Sequence, residues 1–301
     1  MKSLFHLFNG AISVLLYFLN TVILCLPLLF FSLLKLIPIT TWRRWMSKVV
    51  DGIATLWISI NNLNQKIFSR THFVYRGERD ISVKEWYLVI ANHQSWVDIL
   101  ALQRVFNRKI PFLKFFLKKN LIYVPFLGLA WWALDFPFMQ RYSRAFLEKY
   151  PHLKGKDLET TKKACEKFEF KPVSITNFVE GTRFDTRKVK PDSEFKHLLT
   201  PKSGGIAFVL NAMGERLTKL INVTIYYPKG IPTYWDFVSG KVKDIVVDVE
   251  TIDVQALLSS GVYSDRYFTD DQQKRIFQEW INGLWRNKDK KLETLSKEWH
   301  S

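Results

Sequence analysis

Blocks of apolar residues along the chain predict its secondary structure, and the first block is the longest. Residues 10–34 carry no charge, and about 25 helical residues would span ~37 Å, more than the ~30 Å hydrocarbon core of a bilayer. This length predicts a membrane segment and fits a cleaved signal peptide less well. Pro27 and Pro38 leave two geometries open: one tilted or kinked span, or a bent segment that enters and leaves the same leaflet.

Shorter blocks predict the elements of a folded domain. Helical periodicity appears in residues 42–68, 97–106 and 203–213 and in a tail helix from about residue 270. Continuous or β-branched apolar runs predict strands at residues 73–77, 86–91, 173–179, 221–227 and 243–250. Together they predict an α/β fold with a mixed, largely parallel central sheet flanked by helices, preceded by an N-terminal hydrophobic membrane anchor. The predicted segments are an anchor at 1–40, an amphipathic helical connector at 41–70, the main domain at 71–250 and a helical tail that packs on it at 251–301.

Basic residues outnumber acidic ones, and this limits the partners. Lys and Arg number 44 against 28 Asp and Glu, a formal charge of +16, which attracts nucleic acid, anionic lipid or an acidic carrier protein. Nucleic acid is disfavoured because no recognition-helix or RNP motif appears and the aromatic residues cluster with Leu rather than with Gly. The flank after the anchor carries more cations than the flank before it, which predicts a main domain facing the cytoplasm; these cations are Lys35, Arg43, Arg44 and Lys48 against Lys2. Cys25 and Cys165 have neither metal-site spacing nor a disulfide pattern, so no metal is expected.

Residues 111–138 mix many aromatic residues with lysines, among them Lys114, Lys118 and Lys119. This mixture is typical of a surface that meets the headgroups of an anionic bilayer. A pair of core helices whose lysines extend to solvent would have the same composition. Both interpretations stay open from the sequence.

The run Asn-His-Gln-Ser-Trp-Val-Asp at 92–98 joins a predicted buried strand to a predicted helix. Residues five apart on one helix face different directions, so His93 and Asp98 can meet only if the turn folds His93 back. Asp98 would then fix the imidazole tautomer and stabilise its cation, which makes the pair a candidate general base. Alternatively, Ser95 caps the helix and Asp98 completes a capping box. Asp98 could do both.

A second polar turn, Glu-Gly-Thr-Arg at 180–183, follows the predicted strand at 173–179. Gly181 permits a tight turn, Thr182 offers a hydroxyl, and Arg183 can hold a phosphate with two parallel donors. The sequence therefore predicts an anion-binding turn. The alternative is a polar loop with an internal ion pair.

With both motifs in this order, the chain resembles the glycerolipid acyltransferase family typified by 1-acylglycerol-3-phosphate acyltransferases, of bacterial inner-membrane type. The resemblance runs from about residue 73 to 228. Lys118, Leu121, Pro125 and Gly128 look like the Lys-x-x-Leu and Pro-x-x-Gly pattern of the family, and Arg141 matches an Arg that faces the acceptor phosphate. Three positions depart from the family: Asp135 stands where Gly is usual, and Val179 and Asn222 stand where Pro is usual.

The resemblance implies a membrane-bound enzyme that moves a fatty acyl group from a thioester to a lysophospholipid, with 1-acylglycerol 3-phosphate as acceptor and phosphatidic acid as product. His93 and Asp98 would be catalytic. Substrate would be bound by Glu180, Gly181, Thr182, Arg183, Arg141 and Lys118. It further implies direct transfer with no bound cofactor, and coenzyme A or acyl carrier protein as the handle of the donor. A lysophospholipid with a headgroup, such as lysophosphatidylglycerol, and an inactive membrane scaffold remain as alternatives.

Overall fold

A computed structural model describes residues 2–136, 138–139, 165, 168 and 171–300. Its helices are α1 (Lys2–Leu34), α2 (Thr40–Asn64), α3 (Val97–Phe106), α4 (Leu127–Ala133), α5 (Gly204–Met213), α6 (Tyr234–Val238), α7 (Val254–Ser259) and α8 (Asp271–His300). Its strands are β1 (His72–Gly77), β2 (Tyr87–Ala91), β3 (Leu113–Phe115), β4 (Leu117–Lys118), β5 (Phe138–Met139), β6 (Ser174–Phe178), β7 (Lys219–Tyr226) and β8 (Asp244–Asp253).

Six of these strands form the central sheet in the order β1-β8-β7-β2-β6-β3 within the described residues. The strands β7, β2, β6 and β3 run parallel to each other, whereas β8 is antiparallel to β7 and parallel to β1. The α/β fold with a mixed, largely parallel sheet is therefore confirmed. The division into four segments remains a prediction.

Strand β2 is buried along its whole length because both faces of the sheet are covered. Tyr87, Val89 and Ala91 point into a core shared with α2 and α3, and Leu88 and Ile90 point into a second core shared with α5 and α8. Side chains alternate between the faces of a strand, so a continuous apolar run is what a doubly covered strand requires. The centre of the sheet thus fixes the position of whatever follows β2.

Helices α1 and α2 pack against each other as a hairpin held by polar side chains. Ser13 Oγ donates to Asn64 Oδ1 at 3.0 Å, and Asn20 Nδ2 donates to Asn61 Oδ1 at 2.8 Å. The opposite side of α1 exposes large apolar residues, among them Leu4, Phe8, Leu15, Leu19, Ile23 and Phe30. In the part of the chain that the structure describes, α1 is the one helix long and apolar enough to cross a membrane.

Residues 111–136 do not form the pair of core helices that was one of the two arrangements left open by their composition. They contain two short strands, a 3-10 turn at Lys119–Tyr123 and one short helix, α4, so the core helix pair is wrong. Gly128 sits so close to the preceding turn that a Cβ there would lie 2.0 Å from Ile122 O. Asp135 adopts φ +59°, a left-handed conformation that Gly takes freely and Asp tolerates. This conformation is compatible with the Gly that the resemblance leads one to expect at the position.

Lys114 does not lie on a surface, contrary to the headgroup interpretation. Its side chain is 1% exposed, and Nζ donates to Leu134 O at 2.5 Å and lies 4.0 Å from Asp51 Oδ1. Lys171 pairs with the other oxygen of Asp51 at 2.5 Å. Burial lowers the pKa of Lys114 to about 8. Lys114 is the buried member of a partly exposed charge cluster with Asp51 of α2 and Lys171.

Candidate active site

The two motif turns meet at one edge of the sheet. In the ladder, Ala91 of β2 pairs with Phe178 of β6 on one side and with Val223 of β7 on the other. Residues that leave the carboxyl ends of neighbouring parallel strands emerge side by side. His93 therefore lies next to the turn that begins at Glu180.

Asn92 fastens the end of β2 to β7. Its Nδ2 donates to Ile225 O at 2.9 Å and its Oδ1 accepts from Ile225 N at 2.8 Å. Both groups of the buried amide are thus used, and the chain leaves the sheet in one direction. This role needs an amide, which donates and accepts at once.

His93 folds back onto Asp98, with Nδ1 2.8 Å from Asp98 Oδ2. Because Asp98 is buried and accepts, Nδ1 carries the proton and Nε2 keeps its lone pair. The ring stacks on Phe178 at 4.0 Å with 14° between the planes, and its side chain remains 13% exposed. The arrangement presents a positioned imidazole that can accept a proton.

Asp98 also organises the turn itself. Its Oδ2 accepts from Gln94 N at 2.6 Å and Ser95 N at 2.8 Å, and its Oδ1 accepts from Tyr227 Oη at 2.5 Å. Burial and the nearby charge of Asp98 raise the pKa of Tyr227, so its hydroxyl stays a donor. The bond to Ser95 N is the acidic half of a capping box, and Ser95 Oγ accepts from Val97 N at 3.2 Å, the first residue of α3, while it donates to Pro232 O. Asp98 thus has both geometries that the sequence left open.

Glu180 lies beneath the site and does not line the cavity. Its carboxylate accepts hydrogen bonds from two backbone N–H groups. Its Oε1 accepts from His93 N at 3.0 Å and its Oε2 from Leu199 N at 2.9 Å. Burial raises the pKa of Glu180 to about 7 even though both hydrogen bonds oppose this shift. Gly181, with φ +72°, then turns the chain sharply. These bonds tie the second motif directly to the first.

The end of the second motif carries cations at the surface. Arg183 is exposed and stacks over the Trp96 ring at 4.8 Å. Lys188 Nζ donates to Thr182 Oγ1 at 2.8 Å and to Arg183 O at 3.1 Å. Arg183 therefore has a second cation beside it, and the internal ion pair that the sequence left open as an alternative is absent between Glu180 and Arg183 among the described contacts.

Two predicted substrate-binding residues lack a described side chain. Arg141 lies outside the described residues. Lys118 ends β4, and only its backbone is described. Their roles stay predictions.

Sequence reasoning missed Asn92, Phe178, Tyr227 and Lys188 as parts of the site. Asn92 stands inside the quoted motif, and Phe178 and Tyr227 stand at the ends of predicted strands, so the sheet order would have been the signal for them. Lys188 has no local signal, because its contact with Thr182 depends on the path of an irregular loop.

A cavity of about 810 Å³ opens beside His93. Gly181, Thr182 and Arg183 line it near the motifs. Most of its wall is apolar and comes from α1, α2, α3 and residues 112–136. An imidazole, a cationic turn and an apolar chamber thus share one space.

Comparison with known proteins places this site in a family. A sequence model of the acyltransferase family matches residues 72–227. The chain is 34% identical over 113 residues to the 1-acyl-sn-glycerol-3-phosphate acyltransferase of Saccharomyces cerevisiae, which covers 38% of this chain and 33% of that protein. It is 25% identical over 236 residues to an uncharacterized acyltransferase of the same yeast, which covers 70% of this chain and 59% of that protein. The chain therefore spans less than two thirds of either relative.

A solved structure shares the fold. The crystal structure of the 1-acyl-sn-glycerophosphate acyltransferase PlsC from Thermotoga maritima has a TM-score of 0.56 and 18% identity, and the match covers 96% of this chain and 98% of that chain. The family match spans more than half of the chain and includes both motif turns. The chain belongs to the acyltransferase family, among the PlsC-like glycerolipid acyltransferases.

Proposed function

We propose that the protein transfers a fatty acyl group from an acyl thioester to the free hydroxyl of a lysophospholipid, with 1-acylglycerol 3-phosphate as acceptor and phosphatidic acid as product. The observation that carries the proposal is the 2.8 Å hydrogen bond between His93 Nδ1 and Asp98 Oδ2 on the wall of a cavity that also reaches Arg183. A base, an anion-binding group and room for an acyl chain are what this reaction requires.

His93 acts as the general base. Its Nε2 takes the proton of the acceptor hydroxyl while that oxygen attacks the thioester carbonyl carbon. The carbon–sulfur bond then breaks, and the imidazolium returns the proton to the departing thiolate. Asp98 stabilises the imidazolium, and a positioned base of this kind contributes ~10²–10⁴-fold. Transfer is direct, and coenzyme A or acyl carrier protein enters and leaves with the donor.

Arg183 holds the acceptor phosphate at the mouth of the cavity. Its guanidinium offers paired donors, and the neighbouring Lys188 adds charge. The hydroxyl of Thr182 accepts from Lys188, which leaves its own proton for a phosphate oxygen. The apolar part of the cavity takes an acyl chain, and its volume of about 810 Å³ lies within the usual range for ligand sites.

The hairpin of α1 and α2 attaches the protein to one leaflet of an anionic phospholipid membrane. At one end of α1, Asn9 Nδ2 donates to Phe68 O at 2.7 Å. At the other end, Lys35 pairs with Asp135. Because both ends contact the same domain, α1 enters and leaves on one side, as one of the two geometries permits. The cytoplasmic face of a bacterial inner membrane remains the predicted location.

A purified-protein assay tests the function. The full chain in mixed micelles receives acyl-CoA or acyl carrier protein thioesters with 1-acylglycerol 3-phosphate, lysophosphatidylglycerol or lysophosphatidylcholine, and mass spectrometry follows the products, with His93→Ala as control. We expect phosphatidic acid as the fastest product. Faster acylation of lysophosphatidylglycerol would assign a headgroup-bearing acceptor, and no transfer to any acceptor would leave the scaffold alternative.

A further inference from the structure

The C-terminal helix α8 reaches the candidate active site although it lies outside the segment 72–227 that matches the family. Phe277, Ile281 and Trp285 anchor it in the second core of the sheet. Two consecutive residues beyond them, Lys288 and Asp289, are buried and charged, with 2% and 9% of their surfaces exposed. Buried charges are costly unless they are paired or hydrogen-bonded, so their contacts indicate what they do.

Asp289 holds the loop that supports Glu180. Its two carboxylate oxygens accept from Lys196 N at 3.1 Å and His197 N at 2.8 Å. Two residues further on, Leu199 N donates to Glu180 Oε2, and the other oxygen of Glu180 accepts from His93 N. A short chain of hydrogen bonds and peptide units therefore connects α8 to the backbone of the proposed base.

Lys288 acts on the same carboxylate through its charge. Its Nζ donates to Val223 O in β7, the strand next to β2, and its ammonium attracts Glu180 electrostatically. Glu180 and Asp98 are two buried carboxylates on one site, and the charge of Asp98 raises the pKa of Glu180. Burial lowers the pKa of Lys288 to about 7, and in its charged form Lys288 lowers the pKa of Glu180, which favours the ionised carboxylate that accepts both backbone N–H groups.

The geometry points to Lys288 and Asp289 as positioning residues for acyl transfer: α8 holds Glu180 as a double acceptor and thereby fixes the backbone that carries His93. This inference rests on the proposed function. It assigns a role in the reaction to a helix that neither motif includes.

A double-mutant cycle tests the role of Lys288. Lys288→Met should lower kcat at least tenfold while KM for both substrates stays within about twofold, because His93 rather than a binding group is displaced. In a Glu180→Gln background, the same substitution should change kcat by less than twofold, since the carboxylate it serves is gone. Lys291→Met is the matched control three residues along α8; Lys291 pairs with Asp248 and Glu250, and we expect it to keep wild-type kcat.

Equal losses from Lys288→Met in both backgrounds, or an equal loss from Lys291→Met, would overturn the inference. A Lys288→Met variant that fails to fold is replaced by the Lys288→Met, Glu180→Gln double variant, which removes both charges and should fold. If the double variant also fails to fold, Lys288 acts independently of Glu180 and the inference is wrong.

Hydrogen exchange separates this inference from the proposed function, because it requires no turnover. Asp289→Asn and Lys288→Met should each speed exchange at least tenfold in the peptides that contain His93 and Leu199, and leave the peptide containing Ile58 of α2 unchanged. Wild-type protein that transfers no acyl group would refute the proposed function, whereas unchanged exchange in both variants would refute the positioning role.

Discussion

The imidazole of His93 lies flat on the ring of Phe178, with centroids 4.0 Å apart and 14° between the planes. Phe178 is in turn stacked with Phe115 at 5.8 Å. Two contacts therefore restrain the imidazole of the proposed base. The hydrogen bond from Nδ1 to Asp98 fixes the position of one ring edge, and stacking on Phe178 fixes the plane of the ring.

Replacing Phe178 should loosen the plane of the imidazole. We expect Phe178→Leu to lower kcat about tenfold with little change in either KM, because the hydrogen bond to Asp98 alone allows the ring to tilt. Phe115→Leu, which removes only the outer ring, should lower kcat by less. Equal kcat values for wild type and Phe178→Leu in steady-state assays would show that the stacking is only packing.

His93→Ala and Asp98→Asn test the base itself. His93→Ala should lower the rate of acyl transfer by ~10²–10⁴-fold, because it deletes the proton acceptor. Membrane attachment and the circular dichroism spectrum should stay unchanged. Asp98→Asn should lose much of the activity through the wrong imidazole tautomer. It should also lower the melting temperature, since Asp98 accepts from the amides of Gln94 and Ser95. A variant of Asp98 that is destabilised yet fully active would leave only the capping role.

Arg183→Lys keeps the charge but loses the paired donors. We expect the KM for the lysophospholipid to rise about tenfold or more, given ~1.5–3 kcal/mol for a charged hydrogen bond, while the KM for the thioester moves little. Steady-state kinetics that vary each substrate separately measure this difference. A rise in the thioester KM alone would mean that the turn holds the phosphates of the donor instead.

Glu180 makes the stability of the fold depend on pH. Burial raises its pKa from 4.5 to about 7, so between these values the folded state binds more protons than the unfolded state. Its contribution to stability is therefore fully present below pH 4.5 and is lost as the pH rises to 7. We expect Glu180→Gln to gain stability over wild type across this window, by at most roughly 3 kcal/mol. Melting temperatures of both proteins from pH 4.5 to 8 measure this gain. A difference between the two proteins that does not change with pH would contradict the prediction.

Lys114 should have the opposite dependence. Its pKa falls from 10.5 to about 8, so the charge is buried at a cost below pH 8, and that cost disappears as the pH rises to 10.5. Relative to Lys114→Met, wild type should therefore become more stable between pH 8 and 10.5. Thermal melts of both proteins at pH 7 and pH 10 measure this change. Lys114→Met should bind anionic vesicles as tightly as wild type, because the side chain is inside the protein; weaker binding would restore the surface interpretation.

Local patterns predicted the elements that carry the two motifs and the meeting of the motifs, but not the short strands β3, β4 and β5. The apolar run at 86–91 and the largely apolar, β-branched run at 173–179 predicted buried strands, and adjacent parallel strands bring His93 and Glu180 together. Tyr227 could not be assigned to Asp98 in this way, because the contact depends on β7 lying beside β2, which is a matter of sheet order. The burial of Lys114 depends on its proximity to Asp51 in α2. No sequence pattern near residue 114 indicates that α2 packs there.

Asp135, which stands where the family pattern has Gly, combines a glycine-like backbone conformation with an ion pair. Its left-handed φ of +59° preserves the backbone path of a glycine, while its carboxylate pairs with Lys35 at the end of α1. The substitution therefore adds an ion pair between the anchor and the domain without altering the turn.

Residues of α1, including Val14, Phe18 and Cys25, form part of the wall of the cavity beside His93. The segment that would be removed to obtain a soluble protein is thus one side of the substrate chamber. Removing the residues before Trp42 would therefore open the chamber and weaken its selection of acyl-chain length. The truncated protein would be a different catalyst, not the same catalyst released from the membrane.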